Sequence, residues 1–201
     1  MIRPRMRLAA AVLLATTSSG MADAPEVGIT GDLASVTVMH NGAEVEIKRN
    51  QDTTAALTGE FAKTSRACPP FCVQPFSPAE GVTTIGELEL MELLENPAAM
   101  VVDSRVEEWF RKGTIPGSIH IPYTEVTDRL GELGCEIDFE GWDCTDAVPV
   151  ALFCNGNWCG QSPSAIRKMV AAGYPAERIS YYRGGMHAWQ MLGLTVAGGG
   201  S

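Results

Sequence analysis

Apolar and polar positions first fall into register at Val36-Thr-Val-Met39 and Val45-Glu-Ile47, two alternating runs on either side of His40-Asn-Gly42. Alternation around an Asn-Gly pair predicts a β-hairpin with a two-residue turn. Residues 65–82 then carry four prolines, which forbid regular structure and predict an ordered linker pinned by Cys68 and Cys72. From Thr83 the period switches back and forth. Thr84 and Glu87 are spaced as a capping box before a helix with Leu88, Leu90, Met91, Leu93 and Leu94 on its apolar face. Strands are expected at Ala99–Val102, Ile119–Ile121, Val148–Phe153 and Ile179–Tyr182, and helices at Val106–Arg111, Tyr123–Leu133, Ser164–Ala172 and Met186–Met191. Short strands alternating with helices imply an α/β fold, a mainly parallel sheet with helices on both faces. The expected organisation is a small hairpin region and Pro/Cys linker over 25–82, a main domain over 83–197 and a flexible Gly-rich tail over 198–201.

The first 24 residues follow a different pattern. Arg3, Arg5 and Arg7 precede an apolar run from Leu8 to Ala15, and Ala22-Asp-Ala24 is a cleavage signal. The run is too short to span a bilayer, so residues 1–24 are read as a signal peptide and the mature chain as exported and periplasmic, without stable membrane insertion. The whole chain of 201 residues has 15 Lys+Arg against 24 Asp+Glu, a net charge of −9. That balance argues against nucleic acid or an anionic membrane as the main partner, since both select basic faces.

Export changes the reading of the six cysteines, because an oxidising compartment permits disulfides. They form three local pairs, Cys68/Cys72, Cys135/Cys144 and Cys154/Cys159. Nearest-neighbour pairing is one of 15 connectivities. A Cys135–Cys144 bridge would contribute roughly 2.5–3 kcal/mol by chain entropy. Spacings of C-x3-C, C-x8-C and C-x4-C do not match the C-x2-C knuckles of zinc ribbons, so no metal is expected.

In open parallel sheets the site lies beyond the carboxyl ends of the strands. There the strand ending at Phe153 runs into Cys154-Asn-Gly-Asn-Trp-Cys-Gly-Gln-Ser162 and then a helix. A cysteine between a strand end and a helix N-terminus meets backbone N–H groups and the positive end of the dipole, which favour its thiolate. Cys154 is the candidate nucleophile, and the Gly- and Asn-containing loop can curl its amides into an anion nest.

Two further segments bear on this loop. Val101-Val-Asp103-Ser-Arg105 through Gly113-Thr-Ile115-Pro-Gly117-Ser-Ile-His-Ile-Pro122 resembles the rhodanese signature, and Gly173-Tyr174 with Tyr182-Arg183-Gly184-Gly185-Met-His-Ala-Trp189 resembles that family's C-terminal signature. Cys154 falls where the family keeps its sulfur-accepting cysteine. The resemblance implies a sulfurtransferase that takes sulfane sulfur from a small donor, holds it as a persulfide on Cys154, and passes it to a thiophilic acceptor. That acceptor is a thiol, free or on a protein, or a cyanide-like nucleophile. It also implies substrate-binding roles for Asn155, Gly156, Asn157, Trp158, Cys159 and Gly160, with Asp103 and Arg105 as a supporting pair. No cofactor is implied. Family loops commonly carry a basic residue for an anionic donor, whereas residues 155–162 have none; Arg105, Lys168 and Arg183 are the outside candidates.

Cys159 is the second departure, since a thiol five positions on could release a persulfide or lock Cys154 in a disulfide. A periplasmic thiol-disulfide oxidoreductase using Cys154/Cys159, with Cys68/Cys72 as a relay, is therefore the alternative enzyme. A non-catalytic sulfur-carrier or binding module is the third reading. A Cys-dependent phosphatase lacks the basic loop end it needs, with Gly160 and Gln161 in that place. The Cys68–Cys72 segment either docks over the site as a lid or ties the hairpin to the domain. His40, His120 and His187 read as surface or packing residues, and Trp158 as a shaper of the pocket mouth.

Overall fold

A computed structural model describes residues 26–139 and 141–198. Residues 1–24, read as a signal peptide, lie outside the described residues, and of the 198–201 tail only Gly198 is within them. The hairpin forms as the pattern predicts: β1 (Ser35–His40) and β2 (Ala43–Lys48) pair antiparallel, with Asn41 and Gly42 at φ 50° and 80° in the turn. Positive φ at both turn positions is what a tight hairpin of this length demands, and Asn and Gly tolerate it.

The main sheet is built from β3 (Thr83–Ile85), β4 (Met100–Asp103), β5 (Ile119–His120), β8 (Val150–Phe153) and β9 (Ile179–Tyr182), with helices α1 (Glu87–Glu95), α2 (Glu107–Arg111), α3 (Gln161–Ala171) and α4 (Gly185–Met191). A minor antiparallel pair, β6 (Glu136–Ile137) and β7 (Trp142–Asp143), fills the segment between Cys135 and Cys144. Strand order is β3-β9-β8-β4-β5, and every pairing is parallel. All four residues of β8 are buried, as a central strand covered on both faces requires.

Pleating sorts the strand residues onto two cores. Val102, Val150, Leu152, Ile179 and Tyr181 pack with Ala165, Ile166 and Met169 of α3 on one face. Val101, Ala151, Phe153 and Tyr182 pack on the other with Leu90 and Met91 of α1 and with Met186 and Trp189 of α4. Val36, Val38 and Ile47 of the hairpin belong to this second core, so the hairpin is built into the domain's interior.

Three sequence expectations need correction. Thr84 does not cap α1: it lies within β3, opposite Tyr181, and its hydroxyl donates to the Phe76 carbonyl at 2.6 Å. The cap is instead Gly86, whose N–H donates to the Glu89 carboxylate at 3.0 Å. Tyr123–Leu133 is a series of turns ending in a 3-10 helix over Leu130–Leu133. Its bonds run from Glu125 to Pro122, Asp128 to Glu125 and Arg129 to Val126. Val126, Leu130 and Leu133 are buried at helical spacing all the same, while the entering Pro122, β-branched Thr124 and Val126, and Gly131 weaken a continuous helix. Finally, α3 begins three residues before the expected Ser164, because Pro163 sits in the first turn, where its missing N–H has no helical partner to lose.

Ile47 is fully buried between the hairpin and the sheet. Ile47→Ala is expected to cost about 2–4 kcal/mol and to lower the urea midpoint of a single cooperative transition. Separate melting of the hairpin region would contradict the shared core.

Candidate functional site

The strand order reverses between β4 and β8: the chain adds β5 on one side of this boundary and β9 and β3 lie on the other, all parallel. The crevice beyond such a switch point is where open parallel sheets bind ligands. Two segments leave the sheet there, Asp103-Ser104-Arg105 from β4 and Cys154-Asn155 from β8, and the Ser104 N–H bonds the Phe153 carbonyl between them at 3.1 Å.

Asp103 and Arg105 are both fully buried and form a bidentate pair. Arg105 Nε reaches Oδ1 at 2.8 Å and Nη2 reaches Oδ2 at 2.6 Å. The remaining donors are used as well, Nη1 on Asn155 Oδ1 at 3.1 Å and Nη2 on the Gly113 carbonyl at 2.6 Å. Thr114 Oγ1 donates to Asp103 Oδ2 at 2.7 Å. The pair lies beneath the 154–160 loop, with every guanidinium nitrogen engaged by a protein acceptor.

The loop is held from its other side by α4. Met186 and His187 donate their N–H groups to the carbonyls of Cys154 and Asn155 at 3.0 and 2.9 Å. This close approach explains Gly185: at φ 55°, an added Cβ would overlap the Cys154 carbonyl and sit 2.8 Å from the Gly156 nitrogen. With the carbonyls drawn toward α4, the amides of Asn155, Gly156, Asn157 and Trp158 find no acceptor among the described residues, directly before the N-terminus of α3. The hydroxyls of Ser104 and Ser162, both fully buried, also lack a partner among the described residues. Spare donors gathered around one cysteine suit an anion at that sulfur.

Cys154 is 2% exposed and Cys159 6%, and the two are joined as a disulfide with their Cα atoms 6.1 Å apart. Cys68–Cys72 and Cys135–Cys144 are the other disulfides, so all six cysteines pair with their nearest neighbours. The Gln161 carboxamide oxygen lies 3.9 Å from the Cys154 sulfur. Within the loop, the Cys159 N–H closes a turn onto the Gly156 carbonyl at 2.9 Å, and the Gly160 carbonyl accepts from Ser164 at 3.0 Å.

The Cys68–Cys72 segment packs over this loop. Phe71 meets Trp158 edge to face at 5.3 Å, and Arg66 lies over both rings, 4.4 Å from Trp158 and 4.9 Å from Phe71. Gln74 N–H donates to the Asn157 carbonyl at 2.9 Å, and the Arg183 guanidinium holds the Gln74 and Pro75 carbonyls at 2.9 and 3.3 Å. Arg66 is thus a site residue that sequence reasoning missed. Its Nη2 donates to the Glu60 carbonyl and its Nη1 pairs with the Glu60 carboxylate at 3.4 Å, while its Nε–H is buried without an acceptor among the described residues. The only signal was a cation two residues before Cys68, in a segment whose docking no local pattern reports. Of the cations expected near the loop, Arg105 is neutralised by Asp103, Lys168 bonds the Tyr123 carbonyl at 3.1 Å and Arg183 secures the covering segment.

The histidines pack. His120 stacks on Phe110 with ring centroids 4.2 Å apart and its Nε2 lies 2.7 Å from the Arg105 carbonyl; His187 stacks on Phe61 at 6.2 Å; His40 Nδ1 accepts the Gly117 N–H at 3.2 Å. Burial, with help from the Glu87 carboxylate, pushes the Tyr182 phenol well above its usual range, so its hydroxyl stays a donor to Glu87 at 2.9 Å. Burial likewise pushes Tyr181 up to about 12.

Comparison with known proteins places this geometry. The family model for the Rhodanese-like domain matches residues 87–192. An HTH-type transcriptional regulator of Mycobacterium tuberculosis is 32% identical over 120 residues, covering 60% of this chain and 46% of its own, so the chain spans about half the length of that relative. Among solved structures, a rhodanese-related protein from Thermoplasma volcanium is 26% identical with a TM-score of 0.42, covering 57% of this chain and 97% of that one. A thiosulfate sulfurtransferase from Pseudomonas aeruginosa is 23% identical with a TM-score of 0.45, covering 60% of this chain and 21% of that one.

Arg105→Ala leaves the Asp103 carboxylate buried without its cation and is expected to destabilise the chain by about 3–5 kcal/mol. Urea unfolding measures this, and a loss under 1 kcal/mol would mean that the pair does not brace the switch point.

Proposed function

This chain belongs to the Rhodanese-like domain family, and from that membership we propose that it transfers sulfane sulfur through a persulfide on Cys154. The observation that supports this most is the set of acceptor-free amides from Asn155 to Trp158 around a cysteine that caps the central strand. With the Cys154–Cys159 disulfide reduced, the Cys154 thiolate attacks the outer sulfur of the donor. The donor's S–S bond breaks, its leaving group departs with the bonding pair, and a persulfide remains. The loop amides and the N-terminal end of α3 stabilise the anionic sulfur. An acceptor thiol or cyanide-like nucleophile then takes the outer sulfur and returns the thiolate.

Asp103 and Arg105 act as positioning residues that fix Asn155 from below. Arg66, stacked on Trp158 and paired with Glu60 through its Nη groups, keeps an Nε–H with no acceptor among the described residues; that charged donor stands in for the basic residue that 155–162 lack, so an anionic donor of the thiosulfate type is favoured. The arginine-rich start, the short apolar run and the Ala22-Asp-Ala24 signal support export to the periplasm, and three disulfides suit that compartment. The Cys154–Cys159 disulfide favours a second reading, thiol-disulfide exchange by the same pair.

Intact mass spectrometry of reduced Cys159→Ser protein, in which Cys154 is the one thiol left in the loop, after thiosulfate tests the main reading. The mass of one sulfur atom should be gained, be removed by cyanide, and be absent when Cys154→Ser is added; a reduced Cys159→Ser chain that takes up no sulfur contradicts it. Arg66→Gln should raise the KM for thiosulfate roughly tenfold, the loss of one charge-assisted hydrogen bond, while an uncharged trisulfide donor is unaffected. Protein from the cell envelope should begin after the Ala22-Asp-Ala24 signal, and an intact Met1 would overturn export.

A further inference from the structure

We propose that Cys159 is the internal acceptor of the Cys154 persulfide, so that the chain reduces sulfane sulfur to sulfide; this rests on the sulfur-transfer reading above. Two observations carry it. The first is that Cys154 and Cys159 are bonded to one another, so a reduced Cys159 lies within reach of any sulfur chemistry at Cys154. A nucleophile already positioned in the same loop has an effective concentration that no diffusing thiol matches. The second is enclosure. Both sulfurs are buried, at 2% and 6% exposure, under the segment that places Phe71 and Arg66 against Trp158. A bulky external thiol must displace that cover to reach the persulfide, whereas hydrosulfide is small enough to leave.

The step balances without an added oxidant. The Cys159 thiol loses its proton and attacks the inner sulfur, Sγ of Cys154. The bond between Sγ and the outer sulfur breaks, and the outer sulfur departs as hydrosulfide with the bonding pair. In this step the Cys159 sulfur is oxidised and the outer sulfur reduced; over loading and release together, two thiols become the disulfide seen in the structure and the sulfane sulfur becomes sulfide. On a slower timescale an external dithiol displaces the cover and resets the pair by thiol-disulfide exchange, leaving as its own disulfide; the intramolecular attack needs no such displacement and comes first. Attack at the more exposed Cys159 expels Cys154 as a thiolate at the start of α3, where the helix and the loop amides stabilise the leaving group. The family-like half-reaction and the redox pair thereby become consecutive steps of one cycle.

Single-turnover loading tests it. Reduced full chain, freed of reductant under anaerobic conditions, is mixed with thiosulfate or, in a parallel arm, inorganic polysulfide. Sulfide is counted against a Cys154→Ser blank, and alkylation followed by peptide mass mapping reports Cys154 and Cys159. Wild type should release one equivalent of sulfide and return to the Cys154–Cys159 disulfide. Cys159→Ser, and Cys159→Ala as a second variant, should keep the added sulfur on Cys154 and release none. Wild type that holds a stable persulfide, or equal sulfide from the Cys159 variants, overturns the inference and leaves sulfur transfer standing. Failure of wild type and both Cys159 variants to take up sulfur overturns the sulfur-transfer reading itself, and this inference with it.

Discussion

A buried ion pair lies at the centre of this molecule. Taking Asp103 and Arg105 out of water is costly, and a buried pair is tolerated only when its remaining donors and acceptors are satisfied. Here that requirement organises the surroundings: Thr114, Gly113 and Asn155 are all drawn onto the two side chains. The strand end of β4, the turn before β5 and the loop after β8 are therefore fixed to one another at the point where the strand order reverses. Everything above follows from that anchorage. With Asn155 held from below and the carbonyls of Cys154 and Asn155 held by α4, the loop is fixed at both faces and its amides are left free of acceptors among the described residues.

The cover over the loop comes from outside the family match. Arg66, Phe71 and Gln74 all precede Glu87, where the matched region begins. The cation missing from residues 155–162 stands on this earlier segment, and the aromatic contact between Phe71 and Trp158 aligns it. The matched domain holds Cys154 and its loop of amides, and the N-terminal segment lies across that loop.

Much of this was legible in the amino-acid order because the signals are local. The Asn41-Gly42 turn, the apolar run of β8 and the β9 segment Ile179–Tyr182 each carry their own period, and Cys154 between a strand and a helix announces its environment. What was not legible depended on distant partners. Thr84 has the chemistry of a cap, yet pairing with β9 draws it into a strand. Val126, Leu130 and Leu133 keep helical spacing, yet a chain of turns buries them equally well. The place of Arg66 depends on a fold contact across some ninety residues to Trp158, which no short window holds.

The three disulfides are all short in sequence, spanning separations of 4, 9 and 5 residues. None ties one core to the other, and none links the hairpin to the sheet. Oxidation state and architecture are consequently separate variables in this chain: opening any one bridge frees a loop of a few residues while the sheet and both cores keep their contacts. Cross-links placed this way act on the loops they close and not on the order of the strands, so the topology rests on packing and pairing alone.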